Sequence, residues 1–257
     1  MPSPTPKIIH LETTTRCNMR CHMCVKYAPD SRIDEEDLPF GLLENIASCL
    51  PGANALILNG IGEPLLHSNL VDMVDFARQR MPGDAWIGFQ SNGLLLTESL
   101  TEKLVAAGLG KLCLSVDSLD PVQEGELHGG ARVEILGKNM RILEQAKTRS
   151  PGRPLEVGVE CVLMRENFRQ LPKVARWAAD HGASFLLVSH LIPYGRESAA
   201  QSLFNTNTEE AFRIFCAWKE KGLRQGIDIQ GYFDAAWKYG KTEAQSRVVA
   251  FVGEMIE

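Results

Sequence analysis

The sequence predicts an α/β fold: six strand–helix units wound into a curved, open parallel sheet, a partial (β/α)6 barrel, with a helical segment after it. Three observations predict it. Short apolar runs alternate with stretches of helical periodicity from residue 7 to residue 191, the pattern of βα units and a parallel sheet. Right-handed crossovers between such units curl the sheet, and six strands fall short of the eight that close a full barrel. Sorted by parity, the strands repeatedly place polar residues on one face, whereas strands buried on both faces read as near-continuous apolar runs. A flat doubly wound sheet is the second architecture that the alternation allows.

The first strand, residues 7–13, runs straight into a cysteine-rich loop. A helix over about 40–50 leads to strand two, 55–60. The next helix carries Leu70, Val74 and Ala77 on one face at helical spacing, and strand three is 86–91. Helix three starts near Thr97, where Ser99 and Glu102 fit a capping box, and strand four is 111–116. Helix four, about 132–149, aligns Leu136, Met140 and Leu143. Strand five is 155–162, helix five about 168–181 and strand six 184–191. Beyond these, Asn207 is placed to cap a helix reaching about Gly222, and 227–229 reads as a weak strand. Residues 242–257 read as a helix with Val248, Val252, Met255 and Ile256 on one side. The expected domains are therefore a barrel over 7–191 and a helical extension or bridge over 192–257. The last helix has no stop signal, which points to a truncated chain.

The chain has 257 residues, 44% hydrophobic and 23% charged, enough to bury a core in one or two domains. A net charge of -5 gives no sequence-wide attraction to nucleic acid or anionic membrane. No apolar run approaches the roughly 20 residues of a membrane span. The opening Met1-Pro2-Ser3-Pro4 lacks a charged and then apolar signal segment, so a cytoplasmic location is expected. Of seven cysteines, Cys17, Cys21 and Cys24 fall together, while Cys49, Cys113, Cys161 and Cys216 are scattered. A disulfide scaffold spreads its cysteines through a short secreted chain; this clustering points to metal.

The loop reads Thr15-Arg16-Cys17-Asn18-Met19-Arg20-Cys21-His22-Met23-Cys24. Three thiolates at spacings of four and three converge on one compact ion or cluster. A structural zinc site wants four ligands, and His22 is poorly placed to be the fourth. An iron–sulfur cluster with one open iron fits better, because soft thiolates suit it and the open position binds a ligand. A zinc site, or three ordinary loop cysteines, are the alternatives. His22 and the acidic run Asp34-Glu35-Glu36-Asp37 are expected to be solvated, and Cys161 and Cys216 to be core residues.

A CxxxCxxC loop directly after a first strand resembles the cluster motif of the radical S-adenosylmethionine (SAM) superfamily, and the resemblance runs from about residue 7 to 191. It implies a four-iron four-sulfur cluster held by Cys17, Cys21 and Cys24, with SAM chelated at the fourth iron. It also implies one-electron cleavage of SAM to a 5′-deoxyadenosyl radical that takes hydrogen from a substrate, and an electron donor such as a flavodoxin or ferredoxin. The turn Asn59-Gly60-Ile61-Gly62-Glu63-Pro64 resembles the family's GGEP-type motif, with Ile61 where the first paired glycine is commonest. By position, Gly62 and Glu63 inherit the role of holding the methionyl amino group. The family's SxD sequence after strand four matches Ser115 and Asp117, and its serine contacts the cofactor ribose. Met23 sits where the family has an aromatic residue near the adenine, and Leu191 resembles the position whose backbone contacts adenine. The arginine the family often carries after strand four has only His128 and Arg132 as nearest matches, and that role stays open.

Parity alone places His10, Glu12, Asn59, Gln90, Asn92, Ser115, Asp117 and Glu160 on one strand face. Buried polar groups need partners, so this face implies a ligand-filled cavity with the cluster at its carboxyl-end rim. Cys113 shares the face. The wording of LETTTRCNMRCHMC and GEPLLHSNL looks closest to the branch with a SPASM or twitch extension. The leading expectation is oxidative modification of a peptide or protein side chain. A small molecule such as a nucleotide or sugar comes second, and a non-enzymatic metal-binding module third.

Overall fold

The computed structural model describes residues 6–128, 133–149, 155–203 and 208–231. The strands β1 (Ile8–His10), β2 (Ala55–Ile57), β3 (Trp86–Ser91), β4 (Lys111–Ser115), β5 (Glu156–Leu163), β6 (Phe185–His190) and β7 (Asp228–Gly231) pair in chain order, all parallel. A doubly wound sheet reverses its strand order at a switch point. This sheet never reverses, and it curls into a half barrel. The connections carry α1 (Phe40–Asn45), α2 (Leu70–Arg78), α3 (Glu98–Ala107), α4 (Pro121–His128), α5 (Val133–Arg149), α6 (Leu171–Asp180), α7 (Arg196–Gln201) and α8 (Thr208–Arg224).

One face of the sheet is the core. Leu56, Ile87, Leu112, Val159, Leu186 and Ile229, one from each of β2 to β7, join a single buried cluster with Leu70, Val74, Leu104, Leu136, Met140 and Val174 of the helices. Each such side chain contributes about 1.5–3 kcal/mol when fully buried. The opposite face carries the polar residues and encloses the lumen.

The weak strand read over 227–229 is β7, and it joins the six expected strands as the seventh of the sheet. β7 pairs Phe185 with Asp228 and Val188 with Gly231. Its pattern is weak in sequence because only Ile227 and Ile229 enter the core, while Asp228 and Gln230 line the lumen. The capping box at Ser99 and Glu102 is corrected. Thr97 is the cap, its Oγ1 accepting the Leu100 N–H at 3.2 Å. The helix expected over 40–50 divides into α1 and a 3-10 turn, Ala47–Gly52, which contains Pro51. The helix expected from 168 begins as a 3-10 turn, Phe168–Gln170, before α6. α4 was not foreseen; its sequence, PVQEGELH, has no apolar stripe. Asn207, Arg132 and the expected terminal helix lie outside the described residues.

Candidate cofactor site

The chain leaves β1 through the buried Thr13 and Thr14, and the acidic run folds back along it. Leu38 N–H donates to the Thr13 carbonyl at 2.8 Å and Thr15 N–H to the Glu36 carbonyl at 2.9 Å. Arg16 forks onto Asp37, with Nε at 2.9 Å and Nη2 at 2.6 Å. The buried Lys26 donates to the Thr15 carbonyl at 2.7 Å and to Glu35 at 2.6 Å, and this hydrogen bond holds the Glu35 carboxyl below its usual range. The acidic run is exposed, as expected, and it also braces the cysteine loop through Thr15, Arg16 and Lys26. His22 is exposed, as expected, with its Nε2 3.0 Å from Glu166 and its backbone N–H donating to the Leu127 carbonyl at 3.1 Å. These partners are distant in sequence, which composition cannot reveal.

The turn after β2 docks on the same loop. Gly62 N–H donates to the Thr14 carbonyl at 3.1 Å, Glu63 N–H to the Arg16 carbonyl at 2.8 Å, and Ile61 N–H to Glu12 at 2.6 Å. A Cβ on Gly62 would run into the Thr14 and Arg16 carbonyl oxygens. The close approach that needs glycine is therefore to the chain's own backbone. The buried Glu63 carboxylate accepts from Ser91 Oγ at 2.8 Å, Asn92 N–H at 2.7 Å and Leu65 N–H at 3.1 Å. Asn92 Nδ2 in turn donates to Asn18 at 2.7 Å inside the cysteine loop.

These contacts gather Cys17, Cys21 and Cys24 on one wall of a cavity of about 290 Å³. Met23, Gly62, Glu63, Ser115 and Asp117 line it too. Asp117 Oδ1 accepts the Val162 N–H at 2.6 Å, stitching the ends of β4 and β5. Leu191 is not on the wall; it lies behind, buried with Leu127 and Met164 against Met23 and Val162. Sequence reasoning passed over Met19 and Tyr27, which also line the cavity, the Tyr27 hydroxyl donating to the Met19 carbonyl at 2.9 Å.

A second cavity, about 540 Å³, lies toward the amino ends of the strands and shares Asn59, Gln90 and Glu160 with the first. His10 and Cys113 line it, whereas Glu12 faces neither cavity because it is spent on the Ile61 turn. Burial, and then the neighbouring Asp117, pushes the Glu160 carboxyl up to about 7 against the hydrogen bond from Ser189. Burial also raises the Cys113 thiol and lowers His10.

Among the described residues no three His, Cys, Asp or Glu side chains are gathered for a single metal ion. The donor set is three soft thiols, with no fourth cysteine and no histidine among the described residues lining the cavity. That chemistry fits an iron–sulfur cluster with one position left for another ligand. Burial pushes the Cys17 thiol up, so metal binding there would displace a proton.

The sequence profile of the radical SAM superfamily matches residues 11–178, from the foot of the cysteine loop into α6. The chain belongs to the radical SAM superfamily. Members use a four-iron four-sulfur cluster and SAM. This radical SAM chain is 32% identical over 206 residues to the tungsten-containing aldehyde ferredoxin oxidoreductase cofactor-modifying protein of Pyrococcus furiosus, covering 77% of this chain and 55% of that protein. It is 27% identical to a probable GTP 3′,8-cyclase of Methanocaldococcus jannaschii, covering 86% of this chain and 74% of the relative. Among solved structures, anSMEcpe with bound AdoMet superposes with a TM-score of 0.69 at 19% identity, covering 90% of this chain and 65% of that one. That likeness supports the half-barrel fold. The chain thus spans little more than half the length of the Pyrococcus relative. No helix among the described residues is long and apolar enough to cross a membrane.

Proposed function

We propose that this chain carries the radical-generating half barrel of a radical SAM enzyme whose substrate is a peptide or protein side chain. In this reading Cys17, Cys21 and Cys24 hold the cluster. The Gly62–Glu63 turn and Ser115 position SAM, and Met23, backed by Leu191, packs beside its adenine. Asp117, on the same wall, keeps the β4 and β5 ends in register through the Val162 N–H. The cluster, when bound, supplies the electron that cleaves SAM, an electron delivered by a donor such as a flavodoxin or ferredoxin, and the radical so released removes hydrogen from the substrate. The protein's part is to fix geometry and exclude water. The observation that carries the reading is that three loop thiols, the glycine turn and the strand-four end meet on one cavity.

A small-molecule substrate is the second reading, favoured by the names of the relatives, a cofactor-modifying protein and GTP cyclases. The test is anaerobic. Protein loaded with about four irons and reduced is expected to release 5′-deoxyadenosine from SAM without any substrate, while replacing all three loop cysteines by Ala removes the iron. Fully loaded wild type that releases none, with any reductant, would leave a metal-binding module in place of an enzyme.

A further inference from the structure

The wall between the two cavities is built from Asn59, Gln90 and Glu160. Asn59 Nδ2 donates to Gln90 at 2.8 Å, while Asn59 Oδ1 is buried without a hydrogen-bond partner. With the Asn59 amide donating to Gln90, the atom left unmet is an acceptor. Glu160 accepts one hydrogen bond, from Ser189 Oγ at 3.1 Å, and a carboxyl in either protonation state keeps further hydrogen-bonding capacity. Buried polar groups this poorly satisfied call for a ligand.

Charge narrows what that ligand is. Among the described residues lining either cavity, Lys111 is the one lysine or arginine. It is already committed, 3.0 Å from Glu156 and 4.9 Å from the centre of the Trp86 ring. Burial disfavours the charged form of His10. Against these stand the carboxyls of Glu63, Asp117, Glu160 and Asp228. A polyphosphate here would lose its hydration and meet carboxylates instead of cations, which is costly in a low-dielectric site. A donor group would satisfy Asn59 and Glu160 together.

We propose that the Asn59–Gln90–Glu160 layer is the substrate site, and that it takes the hydrogen-bond donor of an amine rather than a nucleoside polyphosphate. The proposal rests on the radical SAM reading of the cavity above it. Glu160 is the anchor that touches this group, and Gln90 and Asn59 complete its shell.

Calorimetry on the anaerobic, cluster-loaded, SAM-bound protein tests this with three probes: N-acetyl-lysine amide, n-butylamine and GTP. The better of the two amines is expected to bind at least about tenfold more tightly than GTP, and Glu160→Gln to weaken it about tenfold, the loss of one charge-assisted hydrogen bond. Preference for the capped lysine assigns the group to a peptide, and preference for butylamine to a free small molecule. Gln90→Lys, which adds a cation to the same layer, is expected to turn the preference toward GTP and keeps the test open if Glu160→Gln fails to fold. Three results overturn the proposal: GTP binding the wild type more tightly than both amines, amine binding unchanged in folded Glu160→Gln, or no amine binding up to about 10 mM. Release of 5′-deoxyadenosine by the same preparation reads the cofactor assignment separately. Its absence removes the radical SAM reading, whereas its presence with GTP preferred removes only the substrate class.

Discussion

The two halves of the lumen are made from different materials. The upper cavity is walled by loop backbone whose bonds are spent inside the protein: Gly62 and Glu63 on the Thr14 and Arg16 carbonyls, and the Glu63 carboxylate on Ser91, Asn92 and Leu65. The lower cavity is walled by strand side chains, and the polar layer it shares with the upper one is left partly unmet at Asn59 and Glu160. The contrast teaches a division of labour. A wall whose internal bonds are complete holds one geometry, as a fixed cofactor requires. A wall with open hydrogen-bonding positions is completed by what enters.

The largest effect expected is at the upper wall. Valine at Gly62 would collide with the backbone that feeds Cys17, not merely with a bound ligand. Gly62→Val is therefore expected to lose iron together with SAM binding, and to lose stability on the order of 3 kcal/mol, as overpacking a rigid contact does. Iron analysis and urea denaturation check this; a variant with full iron that fails only to bind SAM would show that the turn and the loop are independent.

The lower wall is expected to show itself in pH. The folded-state pKa of Glu160, about 7, lies above the ordinary carboxylate value of 4.5. Between those values the folded protein keeps a proton that the unfolded chain has released. Its contribution is therefore fully present below about pH 4.5 and lost as pH rises to about 7, amounting to about 3 kcal/mol at most. His190, lowered by burial to about 4, acts in the opposite sense, adding stability as pH rises from there toward 6.5. Both wild type and Glu160→Gln carry His190, so the difference between their pH profiles isolates Glu160. Parallel melting curves from pH 4.5 to 7.5 would contradict its burial as a protonated acid.

The smallest effect is at Ser115, which lines the upper cavity from the end of β4. Ser115→Ala is expected to weaken SAM binding by about 1 kcal/mol, one neutral hydrogen bond, with iron content unchanged. Loss of iron in this variant would place the serine in the framework of the cluster loop.

Much of this division was legible in the sequence, because parity and apolar periodicity are local signals. Asn59, Gln90, Ser115 and Glu160 fall on the lumen face, as alternation requires, and Leu136, Met140 and Leu143 are buried on the stripe of α5. What was not legible depends on partners far along the chain. Asp34 to Asp37 is the exposed run its composition suggests, but its pairing with Arg16 and Lys26 is not visible in the sequence. Gly62 lines the cavity, but the Thr14 and Arg16 carbonyls that its Cβ would meet are not visible in the sequence. β7 was weak for a different reason: a strand with two polar lumen residues and Ile229 as its one core side chain carries little pattern in isolation.

The central claim is that Cys17, Cys21 and Cys24 hold a cluster with one iron left open to SAM. Electron paramagnetic resonance of the reduced, iron-loaded protein with and without SAM tests it directly. The account predicts a four-iron cluster signal that changes on adding SAM, in the wild type and to the same final form in Ser115→Ala at saturating SAM. A cluster signal identical with and without SAM would contradict it.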